Sequence, residues 1–189
     1  VSEVKQLQEL IDGCLRGDRR CQQLVYKQLY GKMKAVCLRY TKDADHAMDV
    51  LQEGFIKVFQ NMDKYTGQGS FEGWVRRIMV NLSIDNFRKQ RHDLVLLGDR
   101  ENAEDWEDEP DDEKEDEVDY DFKPNQIIEA MQQLSPAYRT VFNLYVFENY
   151  SHQDIADALG ISVGTSKSNY AKARKNMRKI LLKNQGKTI

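Results

Sequence analysis

Apolar residues recur along most of this 189-residue chain at steps of three and four, the spacing that lays an apolar stripe along one side of an α-helix. Leu7, Leu10, Ile11 and Cys14 begin one stripe, and Leu24, Leu29, Met33, Val36, Cys37 and Tyr40 line a second. In "DADHAMDVLQEGFIKVFQNMDKY" the recurring positions are Ala44, Met48, Leu51, Phe55, Phe59 and Met62. In "SFEGWVRRIMVNLSIDNFRKQ" they are Phe71, Trp74, Ile78 and Leu82, with Ser70 placed to cap the helix. No stretch alternates with the period of two that a half-buried strand needs. The pattern predicts a helical bundle over residues 1–92, with "TGQG" at 66–69 as its clearest loop.

The helical pattern is strong again in "LSPAYRTVFNLYVF", where Ser135 is the expected cap and Pro136 the first helical position. Val141, Phe142 and Tyr145 are expected to face inward. Ser151 and Asp154 have the spacing of a capping box, Gly160 stops that helix, and "ISVG" leads into a last helix reaching about Leu182. Helix, short turn with glycine, helix is helix-turn-helix spacing. Ala156, Gly160, Ile161 and Val163 supply the small or apolar groups that close packing across such a turn requires. In the last helix the expected inner stripe is Tyr170, Ala173, Met177 and Ile180, with Ser166 one turn before Tyr170. The fold class is all-α, in two small helical domains.

Charge separates the two. Residues 93–124, including "AEDWEDEPDDEKEDEVDYDF", hold 16 acidic against 3 basic residues, a net of −13. Residues 1–92 hold 16 basic and 11 acidic, and residues 125–189 hold 9 and 4, each a net of +5. The acidic run is poor in apolar residues and interrupted by Pro110 and Pro124, so burial cannot offset the entropy of ordering it. It is expected to be a flexible linker, 93–124, between domains 1–92 and 125–189.

Other features narrow the function. No apolar run approaches the roughly 18 residues that span a bilayer, and the opening "VSEVKQLQEL" lacks the pattern of a signal peptide. A cytoplasmic location without membrane insertion is expected. Cys14, Cys21 and Cys37 are odd in number and lack C-x-x-C spacing, which supports neither a disulfide framework nor a zinc site. Cys14 and Cys37 stand among apolar residues and are expected in the core. His46, His92 and His152 are scattered, and no nucleophile elbow or phosphate loop is present. No catalytic residue, metal or cofactor is expected.

Three polar faces are candidates for binding. On the last helix Ser168, Lys172, Lys175 and Lys179 form a ridge, with Lys167 alongside and Thr165 and Asn169 near its start. Such a ridge suits a major groove, with lysines on phosphates and polar tips near base edges. A merely solvated basic face is the plainer alternative, but the capped helix and tight turn before it favour DNA. Asp49, Gln52 and Glu53 project from one helix side, where spacing alone reads as solvated surface. Gly54 within that helix suggests a close backbone approach. Arg77, Asn81, Asp85 and Arg88 trace a third stripe, with Arg76, Lys89 and Arg91 adding charge. Phe71 and Trp74 read as core, which leaves Tyr65 as the aromatic most free to meet a base.

With these residues in hand, the chain resembles an RNA polymerase sigma factor of the extracytoplasmic-function (ECF) subfamily. "DHAMDVLQEGFIKVF" is similar to the polymerase-binding helix of sigma region 2. "YTGQGSFEGWVRRIMVNLSIDNFRK" is similar to its strand-melting, −10-reading segment, including the spacing of Asn81, Asp85 and Arg88. "LSPAYRTVFNLYVFENYSHQDIADALGISVGTSKSNYAKAR" is similar to region 4, which reads the −35 element. The resemblance implies a factor that brings core RNA polymerase to specific promoters and helps open the DNA strands, without covalent chemistry. Asp49, Gln52 and Glu53 would dock on a coiled coil of the polymerase's largest subunit. Tyr65, Arg77, Asn81 and Arg88 would meet the single-stranded −10 non-template strand, the loop from Tyr65 to Ser70 helping to hold an unstacked base. Thr165, Lys167, Ser168, Asn169, Lys172 and Lys175 would approach the −35 duplex. An anti-sigma protein is a further partner that the resemblance implies.

Two positions depart from the family, which usually has an apolar residue at 166 and a basic one at 169. Here they are Ser166 and Asn169. Asparagine can read adenine bidentately, so the −35 sequence does not transfer from relatives. The rival reading is a helix-turn-helix transcriptional regulator whose N-terminal helical domain senses a ligand or dimerises.

The resemblance also places the linker in the polymerase's RNA path, where negative charge suits a basic channel. Its 32 residues reach ~105 Å at about 3.3 Å each, enough for the ~70 Å between promoter elements two duplex turns apart. In the free protein the same run could mask the basic domains. If it does, replacing about half of its acids by Ser or Gln raises the free protein's affinity for promoter duplex at low salt. Unchanged affinity there removes the masking idea.

Overall fold

The structure, a computed structural model, describes residues 2–96 and 122–184, with side chains at 6–92 and 122–184. The acidic residues 97–121 lie outside the described residues. The described part is built from helices: α1 (Ser2–Leu15), α2 (Arg19–Tyr40), α3 (Ala44–Gln60), a 3-10 turn (Met62–Lys64), α4 (Phe71–Leu96), α5 (Pro124–Gln132), α6 (Pro136–Val146), α7 (His152–Leu159) and α8 (Val163–Asn184). By backbone packing they form two compact units. Among the described residues the first holds 2–37 with 44–83, and the second 38–43 with 84–96 and 122–184. The division falls within α2 and α4. Among the described residues no helix is long and apolar enough to cross a membrane.

The first unit has an apolar core. Asp18 caps α2, its Oδ1 accepting the Arg20 N–H at 2.8 Å, and Ser70 caps α4 as expected, its Oγ accepting the Gly73 N–H at 3.0 Å. Ile11 and Cys14 of α1, and Leu29, Met33, Val36 and Cys37 of α2, are buried as the pattern predicts. Burial lifts the Cys14 thiol to about 11. Leu24 is a correction: it is 49% exposed, and Val25 takes the buried place beside it. On α3 the buried set is Ala47, Val50, Leu51, Gly54, Phe55 and Val58, while the expected Ala44 is exposed. The inner face is therefore wider than the stripe read from the sequence. Gly54 makes the close approach anticipated for it, since a β-carbon there would collide with the Met79 thioether of α4.

The second unit uses more polar groups. The expected caps are in place: the Tyr138 N–H donates to Ser135 Oγ at 3.4 Å, and Pro136 opens α6. The capping box closes α7, with Asp154 N to Ser151 Oγ at 3.1 Å and Ser151 N to Asp154 Oδ2 at 2.9 Å. The Ser151 hydroxyl, donating to Asp154 Oδ2 at 2.6 Å, and then the Ser151 N–H hold the Asp154 carboxyl below its usual range. Gly160 ends α7 in the left-handed region, at φ 65°, a conformation open to glycine without a β-carbon penalty. Arg91 Nη1 donates to the last carbonyls there, Leu159 O at 3.3 Å and Gly160 O at 2.9 Å. Asn149, also at positive φ, turns the chain after α6, a role asparagine tolerates.

Arg139 carries the polar packing of this unit. Its side chain is buried and donates to the carbonyls that end α5: Met131 O at 2.9 Å, Gln132 O at 3.0 Å and Leu134 O at 2.7 Å. Loss of hydration brings its guanidinium down to about 10, partly opposed by Asp43. Asn143, also buried, donates Nδ2 to Arg39 O at 2.7 Å and Arg139 O at 2.9 Å. Arg39 completes the layer, 3.2 Å from Glu148 and stacked 4.2 Å from the Phe147 ring. Arg139→Ala removes the donor to Gln132 O and Leu134 O, while Met131 O keeps the Leu134 N–H, and is expected to destabilise the fold by about 3 kcal/mol. Urea unfolding followed by circular dichroism measures this, and an unchanged midpoint would show that the carbonyls find other donors.

Candidate protein and nucleic-acid interfaces

On α3 the inner face fixes the outer one. Asp49, Gln52 and Glu53 are all exposed on the side opposite the buried set. Glu53 Oε1 lies 3.2 Å from Lys57 Nζ one turn on, with both side chains largely in solvent. Ile56, 56% exposed, shares this face, three residues past Glu53 and four past Gln52. Sequence reading missed it, although the same spacing that joined the three polar residues reaches it.

On α4 Arg77, Asn81, Asp85 and Arg88 are exposed at steps of four, four and three, as the stripe predicts. Arg88 Nη2 lies 3.4 Å from Asp157 O. Phe71 is buried and Trp74 half-buried, in keeping with their reading as core. Tyr65 is a correction. It is half-buried rather than free, its ring 5.2 Å from Phe71 and 5.5 Å from Trp74. Its hydroxyl donates to Gly69 O at 3.0 Å. The bond closes residues 65–69 into a small ring of backbone whose exposed residues are Thr66, Gly67, Gln68 and Gly69, with Gly67 and Gly69 at φ 76° and 77°. The aromatic that looked available is the one holding the loop's shape.

On α8 Lys167, Lys175 and Lys179 are exposed, with Arg174 and Arg178 beside them, and Ser168 and Lys172 are half-buried. Ser162 caps this helix, a signal not used in the sequence reading: its Oγ accepts the Thr165 N–H at 2.9 Å and lies 2.9 Å from Thr165 Oγ1. Thr165 thus helps to close the helix start. Asn169 is the second correction. It is fully buried and cannot reach a DNA groove from there. The true inner face runs Ser166, Asn169, Ala173, Met177 and Leu181, and Tyr170 stands half-buried at its edge. Polar residues occupy the first two inner places, so apolar spacing alone could not find them. Tyr145 also departs from expectation. It is 37% exposed, its ring stacked on His152 at 4.6 Å and lying 4.4 Å from Tyr170.

Among the described residues no group of three or more His, Cys, Asp or Glu side chains could hold a metal ion. The chemistry these faces offer is recognition: an acidic face with an apolar centre on α3, a polar and cationic stripe on α4, and a basic ridge behind a helix-turn-helix on α8.

Comparison with known proteins finds two family matches in this chain. Residues 25–93 match the family described as Sigma-70 region 2, and residues 125–177 match Sigma-70, region 4. The RNA polymerase sigma-H factor of Pseudomonas aeruginosa is 30% identical over 189 residues, covering 94% of each chain. The ECF RNA polymerase sigma factor SigW of Bacillus subtilis is 31% identical, over 83% of this chain and 85% of that one. The ECF RNA polymerase sigma-E factor of Haemophilus influenzae is 27% identical, over 88% and 90%. The chain belongs to the RNA polymerase sigma factors, within the ECF subfamily. A sensory or dimerising N-terminal domain is not favoured, because residues 25–93 match region 2.

The Tyr65 hydroxyl gives the site its own structural test. Tyr65→Phe keeps the aromatic packing and removes one bond, so overall stability should change by no more than about 1 kcal/mol. Hydrogen exchange of the amides at 66–70 should quicken while the rest of α4 keeps its protection. Unchanged exchange in that loop would mean the bond does not hold it.

Proposed function

We propose that this protein directs core RNA polymerase to specific promoters and promotes strand opening there, acting by binding alone. The observation that carries this reading is the order of parts. A region 2 match precedes a region 4 match within one chain, and a sigma factor aligns with 94% of it. The exposure of the polar faces supports the assignment of roles.

The α3 face of Asp49, Gln52 and Glu53 docks on the polymerase. Arg77, Asn81 and Arg88 contact the −10 non-template strand, and the loop shaped by Tyr65 receives an unstacked base. Lys167, Ser168, Lys172 and Lys175 meet the −35 duplex, with Thr165 at the helix start where backbone N–H groups face phosphate. Asn169 drops out of this set because of its burial. The site of action is the cytoplasm, where polymerase and genome lie, and an anti-sigma protein is a further partner that family membership brings with it.

The test is reconstitution. Mixed with purified core polymerase, the protein should co-elute with it and start transcription at a defined site on a promoter fragment. Glu53→Lys reverses a charge on the docking face and should weaken co-elution by about tenfold or more. Normal co-elution of that variant counts against the docking face, whereas no joint particle with the unaltered protein counts against the whole reading.

A further inference from the structure

The start of the recognition helix is joined to the helix before it by a polar contact. Ser166 faces inward on α8 and is fully buried. Its Oγ lies 3.0 Å from Nδ1 of His152, the first residue of α7. The His152 ring is fixed in turn: it stacks on Tyr145 with centroids 4.6 Å apart and planes 19° from parallel. Tyr170 closes its edge at 5.8 Å. Burial and the neighbouring Lys167 charge lower the imidazole's affinity for a proton, which favours the neutral ring. A neutral imidazole forms one directed bond with the hydroxyl, either atom donating.

An apolar contact at this place would tolerate small rotations of α8, because dispersion is weak per atom pair and has no preferred direction. A hydrogen bond does not, since it weakens steeply as it bends. Ser166 is flanked by Thr165 and Lys167 and followed by Ser168. A rotation of α8 about its axis that broke the bond would swing all three against the DNA. Base-edge contacts require placement within roughly 0.5 Å and 10–20°, whereas flexible lysines follow a phosphate through larger shifts.

From this geometry we propose that His152, through Ser166, is a positioning residue for promoter reading: the pair fixes the rotation of the recognition helix and thereby its choice of bases. The proposal rests on the reading of α8 as the −35-contacting helix. It assigns no DNA contact to His152 itself.

The experiment uses holoenzyme assembled from core polymerase and each variant. It is offered duplex promoter fragments whose upstream element has been randomised, and the bound DNA is sequenced. The unaltered protein should show a base preference. Ser166→Ala and His152→Ala should each flatten it by about tenfold at the positions nearest α8. The double variant should flatten it no further, because the two residues act through one bond. His152→Asn, which places an amide atom at the position of Nδ1, should keep most of the preference, while His152→Gln should not. Thermal unfolding by circular dichroism shows that each variant is folded, and Ser166→Ala, a small change to a good helix former, guards against failure of the histidine variants. The slope of binding against salt should stay constant, since the phosphate contacts are untouched. Unchanged base preference in the two alanine variants overturns the proposal, as does equal loss of affinity for all sequences. If the unaltered holoenzyme shows no upstream preference, it is the −35 reading of α8 that fails.

Discussion

On α8, the residues that face α5, α6 and α7 decide which residues are left to face anything else. The step between neighbours on a helix is about 100°, so the inner run of Ser166, Asn169, Ala173, Met177 and Leu181 leaves Lys167, Lys175 and Lys179 outside. The same geometry acts on α3. Burial of Val50, Leu51, Phe55 and Val58 turns Asp49, Gln52, Glu53 and Ile56 toward solvent. In both places the exposed face is what the packing face leaves, so a change in packing would turn that face without altering any residue on it.

The two units meet that constraint by different means. The first buries methionines, valines, leucines and aromatic rings, where about 25 cal/mol per Å² of apolar area supplies the driving force. The second adds a buried guanidinium, two buried asparagines and a buried serine. Such groups cost free energy unless they are bonded, and Arg139 donates to four carbonyls, the longest bond being to Tyr40 O at 3.5 Å. It closes the end of α5, which lacks the glycine that commonly terminates a helix, and so it does for α5 what Gly160 does for α7. Asn169 is dearer: neither its Nδ2 nor its Oδ1 has a hydrogen-bond partner among the described residues, a cost of about 1–3 kcal/mol.

How far these features could be read from the sequence depends on how local their causes are. Ser70, Ser135, Ser151 with Asp154, and Gly160 all act within three or four residues of themselves, and each stands where the sequence places it. Gly54 was legible for a similar reason, since a glycine in mid-helix asks for an explanation. Leu24 and Tyr145 misled because an apolar side chain on a helix has no local label for inside or outside. Val25, one residue on, won the core place. Asn169 misled in the opposite sense, as a polar residue whose place on the inner face no apolar spacing marks. The α3 face was legible as a set of residues, but its meaning came from family resemblance. Its spacing alone describes any solvated helix.

Tyr65 shows how one side chain can set the shape of a loop. An unstructured loop must be ordered when a single strand binds, at roughly 1–2 kcal/mol for each residue fixed. Here the Tyr65 hydroxyl and its packing against Phe71 and Trp74 set the backbone of 65–69 beforehand. Ser70 then hands the chain directly into α4 through its cap on Gly73. The loop and the exposed Arg77 and Asn81 therefore belong to one continuous, largely rigid stretch of backbone. Affinity gained in this way comes from a cost already met during folding. The half-buried tyrosine thus fixes the shape of its loop through packing and one hydrogen bond.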